Sequence, residues 1–228
     1  MYKRVEMEVF TKESDFEEAL IKVLQQKGWE KEVLKNKTEA DLIQNWADIL
    51  YNNNQSIDRL DKYPLTSGEM QQIVEQIKTL KTPFKLNQFI NGRSVIIKRD
   101  HPEHHEKFGK EVSLKIYDRK EIAAGQSRYQ IVQQPKFKGQ SPIHHDRRGD
   151  LMLLINGMPV FHLELKRSGV SVSQAYYQIK KYSDEKMFTG LFALVQIFVA
   201  MEPNETVYFT NPGEDGKFNS DFYFHWAD

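Results

Sequence analysis

The chain contains no cysteine. That excludes a disulfide framework and any thiolate zinc site, and it fits a reducing cytosol. Net charge is also missing, since 32 Lys and Arg offset 32 Asp and Glu. Affinity for nucleic acid comes mostly from basic residues that neutralise phosphates. An even balance therefore predicts weak duplex binding by this chain alone and suits a protein delivered to DNA by something else. No apolar run approaches a membrane span, and the opening MYKRVEMEVF lacks the apolar core of a secretory signal. No GxxxxGK(S/T) phosphate loop occurs, so no ATP motor is visible. The expectation is a soluble, cytoplasmic chain without a membrane partner.

What is present is ordinary for a globule, with 28% charged and 39% hydrophobic residues. A length of 228 residues allows one large domain, or one domain with a helical appendage.

The informative stretch runs from Asp150 to Tyr182 and reads as strand, tight turn, strand, helix. Asp150–Ile155 is a short apolar run, as in a strand buried on both faces. Asn156-Gly157 signals a hairpin, because both residues tolerate positive φ. Val160–Lys166 then alternates, with Val160, His162, Glu164 and Lys166 on one face and Phe161, Leu163 and Leu165 on the other. Glu and Lys are seldom buried unless paired, so two charges in an apolar hairpin need a reason. A surface pair on an edge strand is one. A metal site is the other. Asp150, Glu164 and the carbonyl of Leu165 would hold a hard divalent ion such as Mg2+, with Lys166 positioning water or neutralising a phosphate.

The tripeptide alone is weak, since acid-x-Lys also occurs at Asp118, Asp184 and Asp215. Only Glu164 lies in an apolar strand with a second acid one hairpin away. Register sharpens the expectation. A strict two-residue turn puts Asp150 opposite Leu163 and on the wrong face, because a one-residue slip flips every side chain. A three-residue loop or a bulge puts it opposite Glu164. The spacing thus predicts one of those two.

Ser171 and Gln174 have capping-box spacing, and Ala175, Gln178, Ile179 and Tyr182 form the inward stripe of the helix that follows. Gln178 is either a satisfied core-edge amide or a group that reaches the site.

The run GD, ING-P, ELKRSG and QIKKY resembles the nuclease core of the PD-(D/E)xK superfamily. More narrowly, it is similar to the N-terminal endonuclease domain of the R (restriction and motor) subunit of type I restriction enzymes. A helix ending in KGW, and YFTNP and FHWAD near the end, extend the likeness over nearly the whole chain. The resemblance implies an α/β fold, restriction-endonuclease-like, with a mixed central sheet flanked by helices and a helical insertion. It implies one nuclease domain over residues 1–228, with the insertion at about 37–91 and the core at about 92–210 plus the helix at 14–27. Asp150, Glu164 and Lys166 would be catalytic, with Gln178 and Tyr182 as the QxxxY motif. Mg2+, or Mn2+ in its place, would assist hydrolysis of double-stranded DNA. ATP would act only through helicase-like motor domains of the same polypeptide, beyond this fragment, and methylation and specificity subunits would be partners. The superfamily's usual proline before the first acid is Gly149 here, where the carboxylate carries the chemistry. Two rivals are a non-catalytic docking module of the same fold and a related nuclease acting in DNA repair.

Elsewhere, Tyr2–Phe10 reads as a strand. Ser14 and Glu17 have capping-box spacing for a helix closed by Gly28. Glu17 also shares the apolar face of Leu20, Ile21 and Leu24; it is either a cap or, as the resemblance implies, an extra carboxylate of the site. A helix over about Thr38–Tyr51 turns Leu42, Trp46, Ile49 and Leu50 inward. Thr66 and Glu69 cap another, with Met70, Ile73, Ile77 and Leu80 inward and Pro83 as its end. Strands are expected at Ser94–Lys98, Val112–Tyr117, Tyr129–Val132, Phe192–Val195, Ile197–Ala200 and Thr206–Thr210. His101, His104 and His105 read as a solvated loop, as do His144 and His145. Lys136, Lys138, Arg147, Arg148 and Arg167 are candidates for phosphate contact or simply solvated charge. The aromatic tail FNSDFYFHWAD suggests packing on a neighbouring domain.

Overall fold

The computed structural model describes residues 9–92, 94–116, 127–139, 145–214 and 216–226. The strand expected at Tyr2–Phe10 lies almost wholly outside these, as do Tyr117, Gln140 and His144. The chain runs α1 (Glu13–Gln26), β1 (Val33–Lys35), α2 (Glu39–Asn53), α3 (Ser67–Lys78), α4 (Pro83–Ile90), β2 (Ser94–Lys98), β3 (Glu111–Lys115), β4 (Tyr129–Gln133), β5 (Lys136–Phe137) and β6 (Arg147–Arg148). It continues through β7 (Leu151–Ile155), β8 (Met158–Leu165), α5 (Val172–Asp184), β9 (Ile197–Glu202), β10 (Glu205–Thr210) and β11 (Tyr223–His225).

Seven strands form one sheet in the order β1-β4-β7-β8-β9-β10-β11. It is mixed: β1 with β4 and β8 with β9 are parallel, and the other pairs antiparallel. Helix α5 makes the crossover between β8 and β9, as a parallel pair requires. Among the described residues five helices cover the sheet unequally, in a restriction-endonuclease-like arrangement. One face carries the larger core, where Met152, Leu154, Met158 and Phe198 meet Trp46, Leu42, Ala175 and Ile179. On the other face Phe16 and Ile21 of α1 pack on Ile131, Leu151, Leu153, Leu163 and Leu165. Strand β7 is thus buried on both sides, as its unbroken apolar run predicts.

Local chemistry explains most boundaries. Thr38 and Thr66 each close a capping box, with Asp41 and Glu69, and both helices bury the expected stripes except for Leu80, which lies beyond the end of α3 and is half-buried. Helix α1 departs from expectation, because its N-cap is Lys12, without a side-chain bond, and Ser14 already lies inside the first turn, bonded to Asp15. Glu17 is therefore not a cap. The end of α3 is Lys78, and Pro83 instead opens α4, capped by Thr82. A proline suits that first position, since its φ is already helical and its missing N–H has no partner to lose. The apolar run expected as a strand at Phe192–Val195 is a 3-10 turn, Gly190–Leu194. Hydrophobicity alone does not distinguish a short buried strand from a buried turn.

Strands β2 and β3 form a separate hairpin. Its inner residues Val95, Ile97, Val112 and Leu114 join the larger core. Below it Arg99 and Glu69 make an ion pair of 2.6 Å with both side chains fully buried. His104 corrects the solvated-loop expectation. It is buried and stacks on Tyr63 at 4.4 Å, whereas His105 is exposed. No helix among the described residues is long and apolar enough to cross a membrane.

Candidate active site

The site grows from one irregularity in a hairpin. Asn156 and Gly157 make a two-residue turn with φ of 50° and 84°. A side chain at Gly157 would strike Trp46, so the hairpin tip packs tightly on α2. Ile155 pairs with Met158 and Leu154 with Pro159, as a two-residue turn dictates. The ladder then skips Val160, and Leu153, Met152 and Leu151 oppose Phe161, His162 and Leu163. Continued by one step, this register sets Asp150 against Glu164. The bulge alternative is the one realised.

The two carboxyl groups sit side by side, each within reach of the other's charge. Asp150 Oδ2 also accepts the backbone N–H of Leu165 at 2.7 Å. Gln178 on α5 is the hub of what surrounds them. Its amide nitrogen donates to Glu164 Oε2 at 2.6 Å and to Tyr182 Oη at 2.8 Å, while its oxygen accepts Lys166 Nζ at 3.0 Å. The Tyr182 hydroxyl donates to the carbonyl of Arg148 at 3.0 Å, just before the first acid. Lys166 reaches back to the carbonyl of Leu165 at 3.0 Å. Asp150, Glu164, Lys166, Gln178 and Tyr182 therefore form one connected network. The capping of α5 by Ser171 aims it, although Ser171 accepts from Ser173 N–H rather than entering a box with Gln174.

Burial dominates the electrostatics. It pushes Asp150 up to about 7, helped by the neighbouring Glu164 charge and opposed by the Leu165 N–H and by Lys166. Burial likewise lifts Glu164 to about 8, with Lys166 opposing. The pair thus keeps a proton at neutral pH because two like charges cannot share a dry site uncompensated. Tyr182 is raised to about 12 by burial and by Glu164, and stays a neutral donor.

The family description of the type I restriction enzyme R protein N terminus matches residues 10–217. The chain belongs to this family. It is 29% identical over 220 residues to a type I restriction enzyme endonuclease subunit of Staphylococcus saprophyticus, covering 96% of this chain and 21% of that protein. A subunit of the same description from Staphylococcus aureus strain MSSA476 is 27% identical over 219 residues, with the same coverage. One from Escherichia coli is 27% identical over 226 residues, covering 96% of this chain and 65% of that protein. The chain thus spans about a fifth of the staphylococcal relatives.

Within this R-protein N terminus, Glu17 approaches the acids from the opposite face of the sheet. It is 4% exposed, its Oε1 has no hydrogen-bond partner, and burial followed by the charge of Asp150 raises its carboxyl. The neighbouring Gln133 and Gln134 side chains oppose that rise. Nearby on α1, Glu13 lies 3.6 Å from Lys166. Among the described residues no group of three or more His, Asp and Glu side chains gathers as a metal cage. Two carboxylates and a carbonyl nevertheless suit a hard divalent cation that keeps several waters. The paired acids, raised by burial and mutual repulsion, form a donor set that a cation would relieve. Asp150, Glu164 and the Leu165 carbonyl fit Mg2+ on that ground.

Of the basic candidates, Arg147 is tied to Glu185 by two bonds of 2.7 Å, while Arg148 and Arg167 are exposed. Phe137, between Lys136 and Lys138, is core. The residue missed by sequence reasoning is His162. Its Nε2 lies 2.9 Å from Glu164 Oε1, and burial pushes its pKa down to about 4. The alternation of β8 had already put it on the Glu164 face.

Proposed function

We propose that this chain is the nuclease domain of a type I restriction enzyme R subunit, hydrolysing phosphodiester bonds of double-stranded DNA with Mg2+, or Mn2+ in its place. The meeting of the Asp150 and Glu164 carboxyls beside the Lys166 ammonium is the observation that carries this reading. Bound Mg2+ would polarise the scissile phosphate and acidify water. Asp150 and Glu164, with the Leu165 carbonyl, would supply its protein ligands. Lys166, anchored by Gln178 and the Leu165 carbonyl, offers a fixed positive charge where negative charge develops on the phosphate. Gln178 orients both Lys166 and Glu164, and Tyr182 braces that amide from below. The exposed Arg148 and Arg167 suit contact with the DNA backbone. Glu17 would adjust the charge at Asp150.

The described core and helical insertion fit a single nuclease domain. ATP-driven helicase-like motor domains of the same polypeptide, together with methylation and specificity subunits, would deliver the DNA. Exposed Phe224 and Trp226, at 46% and 76%, favour the docking-module alternative. The two readings separate in the full-length enzyme. With Asp150→Ala or Lys166→Ala, loss of cutting with ATPase retained supports the nuclease, and unaltered cutting supports docking. A helicase reading frame downstream separates restriction from repair.

A further inference from the structure

Glu164 is held from two sides. Gln178 bonds Oε2, and His162 bonds Oε1 at 2.9 Å. His162 and Glu164 are both 0% exposed. The imidazole stands edge-on to Phe137, Phe188 and Phe198, at 5.6, 5.2 and 6.2 Å between centroids, so its plane is fixed by packing. Its Nδ1 is buried with no hydrogen-bond partner. A proton on Nδ1 would be a donor without an acceptor, whereas a proton on Nε2 has Glu164 directly in line. The ring is therefore the Nε2–H tautomer, donating to the carboxylate.

Gly149 explains how the ring fits. A Cβ at this position would lie 2.5 Å from His162 Cε1, 3.1 Å from Phe137 Cε2 and 3.2 Å from Glu164 Oε1. The imidazole thus occupies the space that any other residue before Asp150 would need.

We infer that His162 is a positioning residue of the acid pair, its Nε2–H aiming Glu164 towards Asp150, and that Gly149 is glycine because this ring must pass. The inference rests on the metal reading for its functional consequence but not for its geometry. Partners of this kind behind a metal ligand are worth about 10–100-fold in metal affinity.

The test uses calorimetric titration of the chain with Mn2+. His162→Phe keeps the ring volume and removes the donor. His162→Gln puts an amide nitrogen near the position of Nε2. The expected result is a Mn2+ affinity about 10-fold or more weaker for His162→Phe, largely restored in His162→Gln. Equal affinity of His162→Phe and wild type, or no recovery in His162→Gln, would overturn the positioning role. Two further readouts need no metal. Nitrogen-15 NMR of the wild-type chain should show His162 protonated on Nε2 alone. Gly149→Ala should lower the melting temperature by about 5 °C beside His162, and by clearly less beside His162→Ala. A proton on Nδ1, or an equal drop in both backgrounds, would refute the geometry. Should the wild-type chain bind no Mn2+, or Asp150→Asn leave binding intact, the metal reading fails. The tautomer and the Gly149 cycle would still decide the placement of His162.

Discussion

Asp150→Asn should make the metal-free chain more stable in alkaline buffer while removing its capacity to cut. The folded chain holds the Asp150 proton to about 7 rather than 3.8. Between those values the native state binds more protons than the unfolded one, so stability falls as pH rises and levels off above about 7. Glu164, shifted from 4.5 to about 8, extends the same decline. At about 1.4 kcal/mol per pH unit the Asp150 term reaches about 4 kcal/mol, and partial exposure to water lowers that to about 2–4 kcal/mol. Asparagine keeps the shape and the acceptor for the Leu165 N–H but carries no charge. Urea denaturation in a chelator from pH 4.5 to 8.5 is the assay. The two proteins should match near pH 4.5, and the variant should lead by about 2–4 kcal/mol near pH 8.5. Mg2+ at 100 times its dissociation constant should then raise wild type by about 2.7 kcal/mol and leave the variant unmoved. Parallel pH profiles, or wild type leading at high pH, would refute the charge-repulsion argument.

Three other outcomes follow from named contacts. Lys166→Met should reduce cleavage by the full-length enzyme at least about 100-fold with little change in melting temperature, and cleavage near wild type would remove Lys166 from the site. Glu17→Gln takes away a buried carboxyl whose Oε1 has no partner; the Mg2+ concentration for half-maximal cutting should rise, and an unchanged titration would leave Glu17 a purely structural residue. Arg99→Met strands the buried Glu69 charge and should cost about 3–5 kcal/mol, much of it recovered by adding Glu69→Gln. A single-variant cost below about 1 kcal/mol, read by urea denaturation, would contradict this.

Much of the site was legible because its signals are local. Alternation over Val160–Lys166 assigned faces, and the demand that two acids share one of them called for a three-residue loop or a bulge. Thr38 and Thr66 marked their helices because an N-cap has a short, specific chemistry. The remaining features lack such a local signal. Strand β1 has only three residues and exists by parallel pairing with β4, a contact some hundred residues away. Proline at position 83 reads as an ending, yet the same ring equally starts a helix. Ser14 and Glu17 matched a capping pattern, yet tertiary packing started α1 earlier and buried Glu17 against the sheet. His162 was visible on the Glu164 face, but its role needed Gly149 beside it, and that proximity is a product of the register.

The bulge at Val160 and the Gly149–His162 contact have one cause. Were Val160 paired, Leu163 rather than Glu164 would oppose Asp150, and Glu164 would turn towards α1 and the smaller core of Phe16 and Leu151. Leu163 and Leu165 would leave the smaller core at the same moment, because the β8 side chains beyond Val160 exchange faces with a one-residue shift while β7, paired through Leu154 and Ile155 on the turn side, keeps its own. The loss of those buried side chains, together with a carboxylate driven among apolar ones, makes that alternative costly. Hydrophobic burial of Leu163 and Leu165 therefore locks the register, and the register in turn forces two acids together where their charges repel. The apolar cores do not merely support the site; they supply the free energy that holds an unfavourable pair of carboxyls in contact until a cation can relieve them.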